Sequence, residues 1–318
     1  MIESIFNRLD RVQKIPPKFM GEILPAPIAV KIELSPRCNY HCKFCALEDR
    51  NGSPQKDMDL GLFHKITAEM RDIGVEEIGL FFIGESFMNP DLLINAIRYL
   101  KKDLEFPYVF LTSNASIAHP NLVKQCMEEG LDSLKWSCNA ADKEQFESMM
   151  GVPSINFKRA CNNIMEAYHI REENGFHTKL YASSIMYDDQ QSGRMNTILS
   201  ECVIPFVDKH YWLPLYTMAT AGDRESGLGL VPVAGNPGRL DDPVAPIPCW
   251  LLFTSGHVMA DGRLTACGYD SIGTWEVGDL KIQSFMEAWN SPEFQLLRKS
   301  HLGGDITETK CKSCLLLR

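Results

Sequence analysis

The sequence predicts an α/β protein: a partial (β/α)6 barrel of parallel strands, followed by a small C-terminal domain made of a β-hairpin and a helix. Two observations predict this arrangement. Short apolar segments alternate with segments of helical period, and six such pairs can be counted. A stretch rich in glycine and proline then interrupts the pattern, and a hairpin-like segment follows it.

The six strands are predicted from apolar segments that are bounded by polar and turn-forming residues. Alternating β and α units imply a parallel sheet with helices outside it. Eight such units close a full barrel, so six units indicate an open one. The predicted strands cover residues 29–34, 77–82, 108–112, 133–137, 179–185 and 208–215.

Helical periods fill the intervals between these strands. The clearest helix covers 60–73. It begins after Asp59, a good N-cap residue, and ends before Gly74, which favours a helix stop. The other predicted helices cover 91–104, 121–129, 155–174 and 195–202.

Composition along the chain divides it into four segments. Residues 1–28 form a lead-in with a short helix, and residues 29–216 form the barrel. Residues 217–248 hold five glycines and five prolines, which is typical of a linker or a long active-site loop. Residues 249–318 form the C-terminal domain.

Charge and cysteine content exclude several classes of function. Lys and Arg number 32 and Asp and Glu 41, so the net charge of −9 argues against a nucleic-acid partner and an anionic membrane surface. No run of 18 apolar residues could span a bilayer, and the N-terminus lacks the apolar core of a signal peptide. The 11 cysteines, an odd number, argue against a disulfide framework. We therefore expect a cytoplasmic protein whose grouped cysteines bind metal.

The first group of cysteines, Cys38, Cys42 and Cys45, directly follows the first predicted strand. The carboxyl end of a barrel strand is where such folds place their active sites. Three thiolates can bind three irons of a [4Fe–4S] cluster and leave the fourth iron open to a ligand. From the spacing alone, a zinc site with His41 or a distant residue as fourth ligand, or a set of free thiols, remains an alternative.

The C-x3-C-x2-C spacing, with the aromatic Phe44 before its last cysteine, resembles the signature of the radical S-adenosylmethionine (SAM) superfamily. The resemblance implies that SAM chelates the open iron through its amino and carboxylate groups. It also implies that the reduced cluster cleaves SAM into methionine and a 5′-deoxyadenosyl radical. Phe44 would pack on the adenine, and a flavodoxin- or ferredoxin-type protein would supply the electron.

Three further segments, at successive strand ends, resemble SAM-binding motifs of the same superfamily. The residues that the resemblance places around SAM are Gly84, Glu85, Ser113, Asn114, Ser137 and Asn139. The family has glycines where Ile83 and Ala115 stand, and an aspartate where Asn139 stands. Glu85 as a solvated loop acid and Ser137 and Asn139 as helix caps are the alternatives.

A second group of cysteines is divided between the two ends of a predicted hairpin (251–267) and the segment after a predicted helix (284–300). That helix is predicted to be broken near Pro292. Its members are Cys249, Cys267, Cys311 and Cys314. Four thiolates can close around one zinc ion or one fully ligated [4Fe–4S] cluster. The C-x12-G-x4-C spacing resembles the opening of the SPASM domain of radical SAM enzymes. The lack of further cysteines resembles its shortened form, the twitch domain, which implies a single auxiliary [4Fe–4S] cluster.

Two radical chemistries fit these features. We expect hydrogen abstraction from a polar small molecule of sugar, aminocyclitol or nucleotide type, with two-electron oxidation of an alcohol, because a fully ligated cluster can accept an electron. The alternative is an epimerase or a peptide-modifying enzyme, in which Cys138 could donate a hydrogen atom; otherwise Cys138 is a small buried residue. A non-enzymatic iron–sulfur or zinc protein is the second alternative.

Strand periodicity and position predict the substrate pocket. Lys31 and Glu33 share one face of the first strand, which would be the lumen face, although a structural ion pair is equally open. Aromatic residues on strands five and six could line the pocket or belong to the core. The predicted pocket residues are Lys31, Glu33, Tyr181, Trp212, Tyr216, Tyr269 and Asp270.

Overall fold

The computed structural model of the protein describes residues 4–50, 56–186, 189–215 and 238–316. The described strands are β1 (Ala29–Ile32), β2 (Glu77–Gly79), β3 (Tyr108–Ser113), β4 (Ser133–Ser137), β5 (Lys179–Ile185), β6 (Lys209–Leu213), β7 (Ser255–Val258), β8 (Arg263–Thr265) and β9 (Glu276–Asp279). Within these residues they form one sheet in the order β6-β5-β4-β3-β2-β1-β7-β8-β9.

The predicted partial barrel is confirmed. Strands β1 to β6 lie side by side in chain order, and all their pairings are parallel. The period of two sets the faces of each strand. In β4, Leu134 and Trp136 are fully buried in the core, whereas Ser133, Lys135 and Ser137 line the lumen.

The described helices are α1 (Ile5–Gln13), α2 (Leu60–Asp72), α3 (Pro90–Arg98), α4 (Pro120–Glu128), α5 (Lys143–Met150), α6 (Ile155–Asn174), α7 (Asp189–Cys202), α8 (Phe285–Trp289), α9 (Pro292–Gly303) and α10 (Lys312–Leu316). As predicted, the Asp59 side chain accepts the N–H of Leu62 and caps α2. The predicted break at Pro292 separates α8 from α9. Helix α5 was not predicted; Asp142 caps it, and Gly151 ends it at φ +66°.

The C-terminal strands continue the barrel sheet. β7 pairs in parallel with β1, from Ala29 opposite Ser255 to Ile32 opposite Val258. The predicted hairpin is present as β7 and β8, which pair antiparallel, and β9 adds a strand that was not predicted. The loop of the first cysteine group follows β1, and Cys249 and Cys267 flank β7 and β8, so the β1–β7 pairing connects these parts of the two groups.

Helix α1 closes the amino-terminal end of the barrel. Arg8 is 5% exposed and its guanidinium lies 3.2 Å from Glu77, at the start of β2. The same guanidinium stacks over the rings of Tyr108 (4.4 Å) and Phe110 (4.2 Å) on β3. The lead-in thus forms the floor of the lumen. In the part of the chain that the structure describes, no helix combines the length and apolar character needed to cross a membrane.

Candidate active site

The three-cysteine loop is clamped at the carboxyl end of β1 by the end of α5. The backbone N–H of His41 donates to the carbonyl of Met150 (3.1 Å), and that of Lys43 donates to the carbonyl of Met149 (2.9 Å). The loop passes so close to Gly151 that a Cβ there would lie 2.5 Å from the His41 carbonyl oxygen. The unpredicted helix therefore fixes the loop that carries the cysteines.

Burial opposes ionisation of the Cys38 thiol in this loop. Burial, together with the nearby carboxylate of Glu85, raises the pKa of Cys38 to about 12. The backbone N–H of Tyr40 donates to the Cys38 sulfur at 3.4 Å, which only partly offsets this. The set therefore fits a cationic metal cluster, whose irons favour the thiolate form.

Gly84 and Glu85 pack directly against the segment that leads into Cys38. A Cβ on Gly84 would overlap the carbonyl oxygen of Ser35 and lie 2.9 Å from that of Arg37, so only glycine fits here. The Glu85 N–H donates to the same Arg37 carbonyl at 2.8 Å. The resemblance to the glycine–glutamate motif thus coincides with a position where the backbone itself demands glycine.

The side chain of Glu85 is 3% exposed and holds two backbone segments. It accepts the N–H of Phe87 (3.2 Å) and the N–H of Asn114 (2.8 Å). Burial raises the pKa of its carboxyl, and these donors act against that rise. Glu85 is therefore not a solvated loop acid, and its charge lies close to Cys38.

Asn114 connects the end of β3 to the cysteine loop. Its amide donates to Asn39 (2.9 Å) and lies 3.8 Å from the sulfur of Cys38. The next residue, Ala115, has φ +67°, which is the left-handed region that favours glycine. This alanine, at the position where the family motif has glycine, thus adopts a conformation that glycine favours. The Oγ of Ser113 accepts the N–H of Ala115 at 3.0 Å and supports this turn.

The main cavity occupies the barrel lumen, with a volume of about 310 Å³. Of the residues that the sequence places around SAM, Phe44, Ser137 and Asn139 line it, next to Cys45. The other four are not among the described residues that line it; they are Gly84, Glu85, Ser113 and Asn114. Asn139 also accepts the N–H of Ile185 at 3.2 Å, and the N-cap of the next helix, α5, is Asp142.

Three of the predicted pocket residues line this cavity: Lys31, Tyr181 and Tyr269. On β6, Trp212 packs against the hydrophobic core, which was the alternative, and its neighbours Tyr211 and Leu213 line the lumen instead. The faces of a strand alternate, so Trp212 and its two neighbours lie on opposite faces. Tyr216 lies outside the described residues.

Glu33 and Asp270 have structural partners and do not line the main cavity. Glu33 is 1% exposed and forms an ion pair with Arg50 (2.9 Å), so the ion-pair alternative holds, with Arg50 as partner. Asp270 accepts from Thr265 (2.6 Å) and from the N–H of Trp275 (2.9 Å). Each carboxylate is fully engaged inside the protein.

Cys138 lies away from the lumen. Its side chain is 8% exposed, belongs to the hydrophobic core and lines a separate small cavity with Cys161. Burial raises the pKa of its thiol to about 12. A hydrogen donor for a substrate in the main cavity would have to face that cavity, and Cys138 does not.

The second cysteine group surrounds a small cavity beside β8 and α9. All four cysteines, Cys249, Cys267, Cys311 and Cys314, line it. Burial, and then the other cysteines, raise the pKa of the Cys267 thiol well above its usual range. Among the described residues, no three His, Cys, Asp or Glu side chains meet closely enough to hold a single ion. Thiols spread around a cavity fit a multi-iron cluster better than one zinc ion.

His301 adds an unpartnered polar atom to this cavity. Its Nδ1 accepts the N–H of Cys249 at 3.2 Å, so the neutral ring carries its proton on Nε2. Burial lowers the pKa of the ring to about 4. Nε2 is buried and has no hydrogen-bond partner among the described residues. A donor of this kind suits the sulfur atoms of a bound cluster.

The two cavities share a wall. Leu251 and Tyr269 line both the barrel lumen and the four-cysteine cavity. The lumen residues that were not predicted from the sequence include Lys135 and Tyr211. The period of two, extended backwards from Ser137, would have placed Lys135 on the lumen face.

The parallel barrel, its three-cysteine loop and the four-cysteine cavity fit a radical SAM domain followed by an auxiliary iron–sulfur domain. Family models agree: the radical SAM superfamily matches residues 32–180, and an iron–sulfur cluster-binding domain, SPASM, matches residues 249–315. The chain thus has a radical SAM domain followed by a domain of SPASM/twitch type. Its cofactors are SAM, a [4Fe–4S] cluster in the first domain and a further iron–sulfur cluster in the second.

Curated relatives match about two fifths of the chain. The S-adenosylmethionine-dependent nucleotide dehydratase of Oncorhynchus mykiss is 28% identical over 135 residues, which is 41% of this chain and 37% of the relative. A probable GTP 3′,8-cyclase of Sulfurisphaera tokodaii is 30% identical over 140 residues, 43% of this chain and 42% of the relative. The chain thus spans about two fifths of the length of these relatives.

Solved structures share the fold over most of the chain. BtrN in complex with AdoMet and 2-DOIA has a TM-score of 0.55 at 14% identity and covers 91% of this chain and 92% of its own. SuiB from Streptococcus suis, bound to S-adenosylmethionine, has a TM-score of 0.61 at 15% identity and covers 87% and 68%. Native anSMEcpe with bound AdoMet has a TM-score of 0.61 at 11% identity and covers 87% and 84%.

Proposed function

We propose that the protein is a radical SAM dehydrogenase that oxidises an alcohol carbon of a polar small molecule to a ketone. The observation that carries this proposal is the wall that the barrel lumen and the four-cysteine cavity share, at Leu251 and Tyr269. When bound, the first cluster and SAM supply a radical that abstracts hydrogen, and the auxiliary cluster supplies an electron acceptor beside the substrate. The reaction balances as a hydrogen atom from the carbinol carbon, a proton from its hydroxyl and one electron.

In this scheme the described residues of the chain bind the first cluster and SAM, and they enclose the substrate. Cys38, Cys42 and Cys45 would hold the first cluster, and Phe44 would pack on the adenine of SAM from the upper lumen. Helix α1 closes the floor, so the substrate would be enclosed between that floor and SAM. We place the reaction in the cytoplasm, with a flavodoxin- or ferredoxin-type protein as reductant.

The similar proteins favour different substrates. The BtrN structure contains 2-DOIA, which supports a small polar molecule. The curated relatives are a nucleotide dehydratase and GTP cyclases, which supports a nucleotide and a reaction other than dehydrogenation. SuiB has also been solved with its precursor peptide, which keeps peptide modification as an outcome to test.

A single-turnover experiment with one equivalent of reductant separates these reactions. The reconstituted protein is mixed with perdeuterated sugars, sugar phosphates and nucleosides, and substrates are found by deuterium transfer into 5′-deoxyadenosine. We expect ketone to form in step with 5′-deoxyadenosine. An isomer that carries solvent hydrogen at the attacked carbon, or a rearranged product of unchanged oxidation state, would refute the dehydrogenase.

A matched pair of variants tests the electron acceptor. Cys311→Ser removes a thiolate from the shared-wall cavity, and Cys126→Ser changes a core cysteine on α4 that lines neither cavity. We expect Cys311→Ser to keep SAM cleavage and lose ketone formation, and Cys126→Ser to keep both. Ketone formation at the parent rate in Cys311→Ser would show that the second centre is structural only.

A further inference from the structure

Two lysine side chains in the barrel lumen lie close enough for their charges to interact. Lys31 on β1 and Lys135 on β4 both line the main cavity. Among the described residues, neither lysine has a hydrogen bond or an ion pair with a carboxylate. The nitrogen of Lys31 lies 5.7 Å from the ring of Phe81 and 5.5 Å from that of Trp250. Such ring contacts stabilise a cation but leave its charge in place.

The rest of the described lumen does not neutralise these charges. The one carboxylate among the described lining residues is Glu77. It is already bound by Arg8 at 3.2 Å and by Arg11 at 2.5 Å. A third cationic lining residue, Arg239, has its own acidic partners, Asp10, Asp241 and Asp242. The described lining residues of the central lumen therefore carry a net positive charge.

Burial and repulsion by neighbouring cations lower the pKa of both lysines. Burial, and then the charges of Lys135 and Arg8, lower the pKa of Lys31 to about 8. Burial, and then Arg8, lower the pKa of Lys135 to about 8 as well. Unpaired buried ammonium groups cost folding free energy, and a group that costs stability without a structural partner is typical of a binding site.

The two lysines lie below the expected SAM site. Lys135 precedes Ser137 by two residues on the same strand face, one layer further from the carboxyl end of the sheet. Lys31 likewise lies within β1, before the loop that carries the cysteines. Phe44, Ser137 and Asn139 line the upper lumen, so SAM there leaves the lysine layer to the substrate.

We infer that the substrate carries an anionic group, a phosphate or a carboxylate, which Lys31 and Lys135 bind together in the lumen. The inference deepens the proposed function and rests on it only in taking this cavity as the substrate site. It narrows the substrate from polar molecules in general to sugar phosphates, sugar acids or nucleotides. It disfavours an aminocyclitol, because a protonated amine would meet two ammonium groups.

Binding of matched probes tests this without turnover. The reconstituted, SAM-loaded protein is titrated by calorimetry with ribose 5-phosphate, ribonate and neutral ribose. We expect at least one anion to bind about tenfold or more tightly than ribose, because each ammonium adds a charge-assisted hydrogen bond. Preference for ribose 5-phosphate would identify phosphate as the group, and preference for ribonate would identify carboxylate.

Variants locate the binding. Lys31→Met and Lys135→Met should each weaken the anion about tenfold or more, whereas Lys135→Arg should keep most of the affinity. Lys158→Met, on the exposed surface of α6, is the control and should leave it unchanged. Without anion, Lys31→Met and Lys135→Met should unfold at an unchanged or higher urea concentration, because each removes an unpaired charge.

Several outcomes would overturn the inference. These are equal affinity for ribose and both anions, anion affinity unaffected by either lumen variant, or loss of SAM affinity in place of anion affinity. A dehydrogenase assay that fails while anion binding follows the two lysines would refute the proposed reaction and leave this inference standing.

Discussion

The two cysteine regions assemble in opposite ways. The first takes Cys38, Cys42 and Cys45 from one loop, and the end of α5 clamps it through backbone hydrogen bonds. The second collects four cysteines from chain positions 249 to 314 around a small cavity. The first set is three thiolates at the mouth of the lumen, and the second is four thiolates behind a wall. A three-thiolate set leaves an iron open for chemistry, whereas a four-thiolate set leaves none.

Deleting each cysteine set is the largest test of this comparison. Replacing Cys38, Cys42 and Cys45 together with alanine should abolish SAM cleavage and leave about four of about eight irons per chain. The iron assay and the electron paramagnetic resonance spectrum of the remaining cluster measure this. Residual SAM cleavage in the variant, or stoichiometric zinc in the parent, would contradict the assignment.

Glu33 connects the two regions. Its carboxylate accepts the N–H groups of Ile83 (3.2 Å) and Gly84 (3.2 Å) beside the first region and pairs with Arg50 at 2.9 Å. It also accepts the N–H of Ala260, in the hairpin of the second region, at 3.4 Å. A residue predicted to face the substrate is instead the polar junction between the two cysteine regions.

Glu33→Ala should therefore loosen both regions together. It leaves the buried Arg50 without its carboxylate, so we expect the free energy of unfolding to fall by about 3–5 kcal/mol. Urea unfolding measures this. Glu128→Ala removes an exposed pair with Lys124 and should cost less than about 1 kcal/mol. Equal losses in the two variants would show that Glu33 is not a junction.

Local patterns predicted the barrel and the first region; contacts distant in sequence decided the rest. Each strand, and the cysteine loop, can be predicted from a few neighbouring residues in the sequence. Arg50 as the partner of Glu33 could not be predicted, because no period connects them. Tyr211 was missed because two aromatic residues stand side by side on β6 and only the fold decides which faces the lumen. The sharing of a wall by Leu251 and Tyr269 likewise depends on the β1–β7 pairing.

Glu85→Gln sharpens the comparison on the SAM side. The change removes the negative charge beside Cys38, so we expect SAM to bind about ten- to a hundredfold more weakly while both clusters remain. Equilibrium dialysis of SAM and an iron assay measure the two effects. Glu76→Gln, half-exposed and paired with Arg11 near the floor, is the control and should keep the SAM affinity. Unchanged affinity in Glu85→Gln would contradict its role.

The smallest expected effect concerns how each region accommodates positive φ. In the second region the described positions of positive φ are glycines, Gly262, Gly273 and Gly304, whereas the first region has Ala115 at φ +67° in addition to Gly151 at φ +66°. The left-handed conformation costs an alanine about 1–2 kcal/mol, and the extra freedom of glycine in the unfolded chain returns about 0.5–1 kcal/mol of that. Ala115→Gly should therefore raise the free energy of unfolding by up to about 1.5 kcal/mol.

Two controls separate backbone strain from contact with the cluster. Glu105→Gly, at φ +52° and outside both cysteine regions, should stabilise by a similar amount. Ala118→Gly, a fully buried position without positive φ, should destabilise because it removes a packed methyl group. Urea unfolding measures the change in the free energy of unfolding for all three variants. If Ala115→Gly destabilises while Glu105→Gly stabilises, the Ala115 methyl group supports the cysteine loop by packing, and the region is more tightly built than its backbone alone implies.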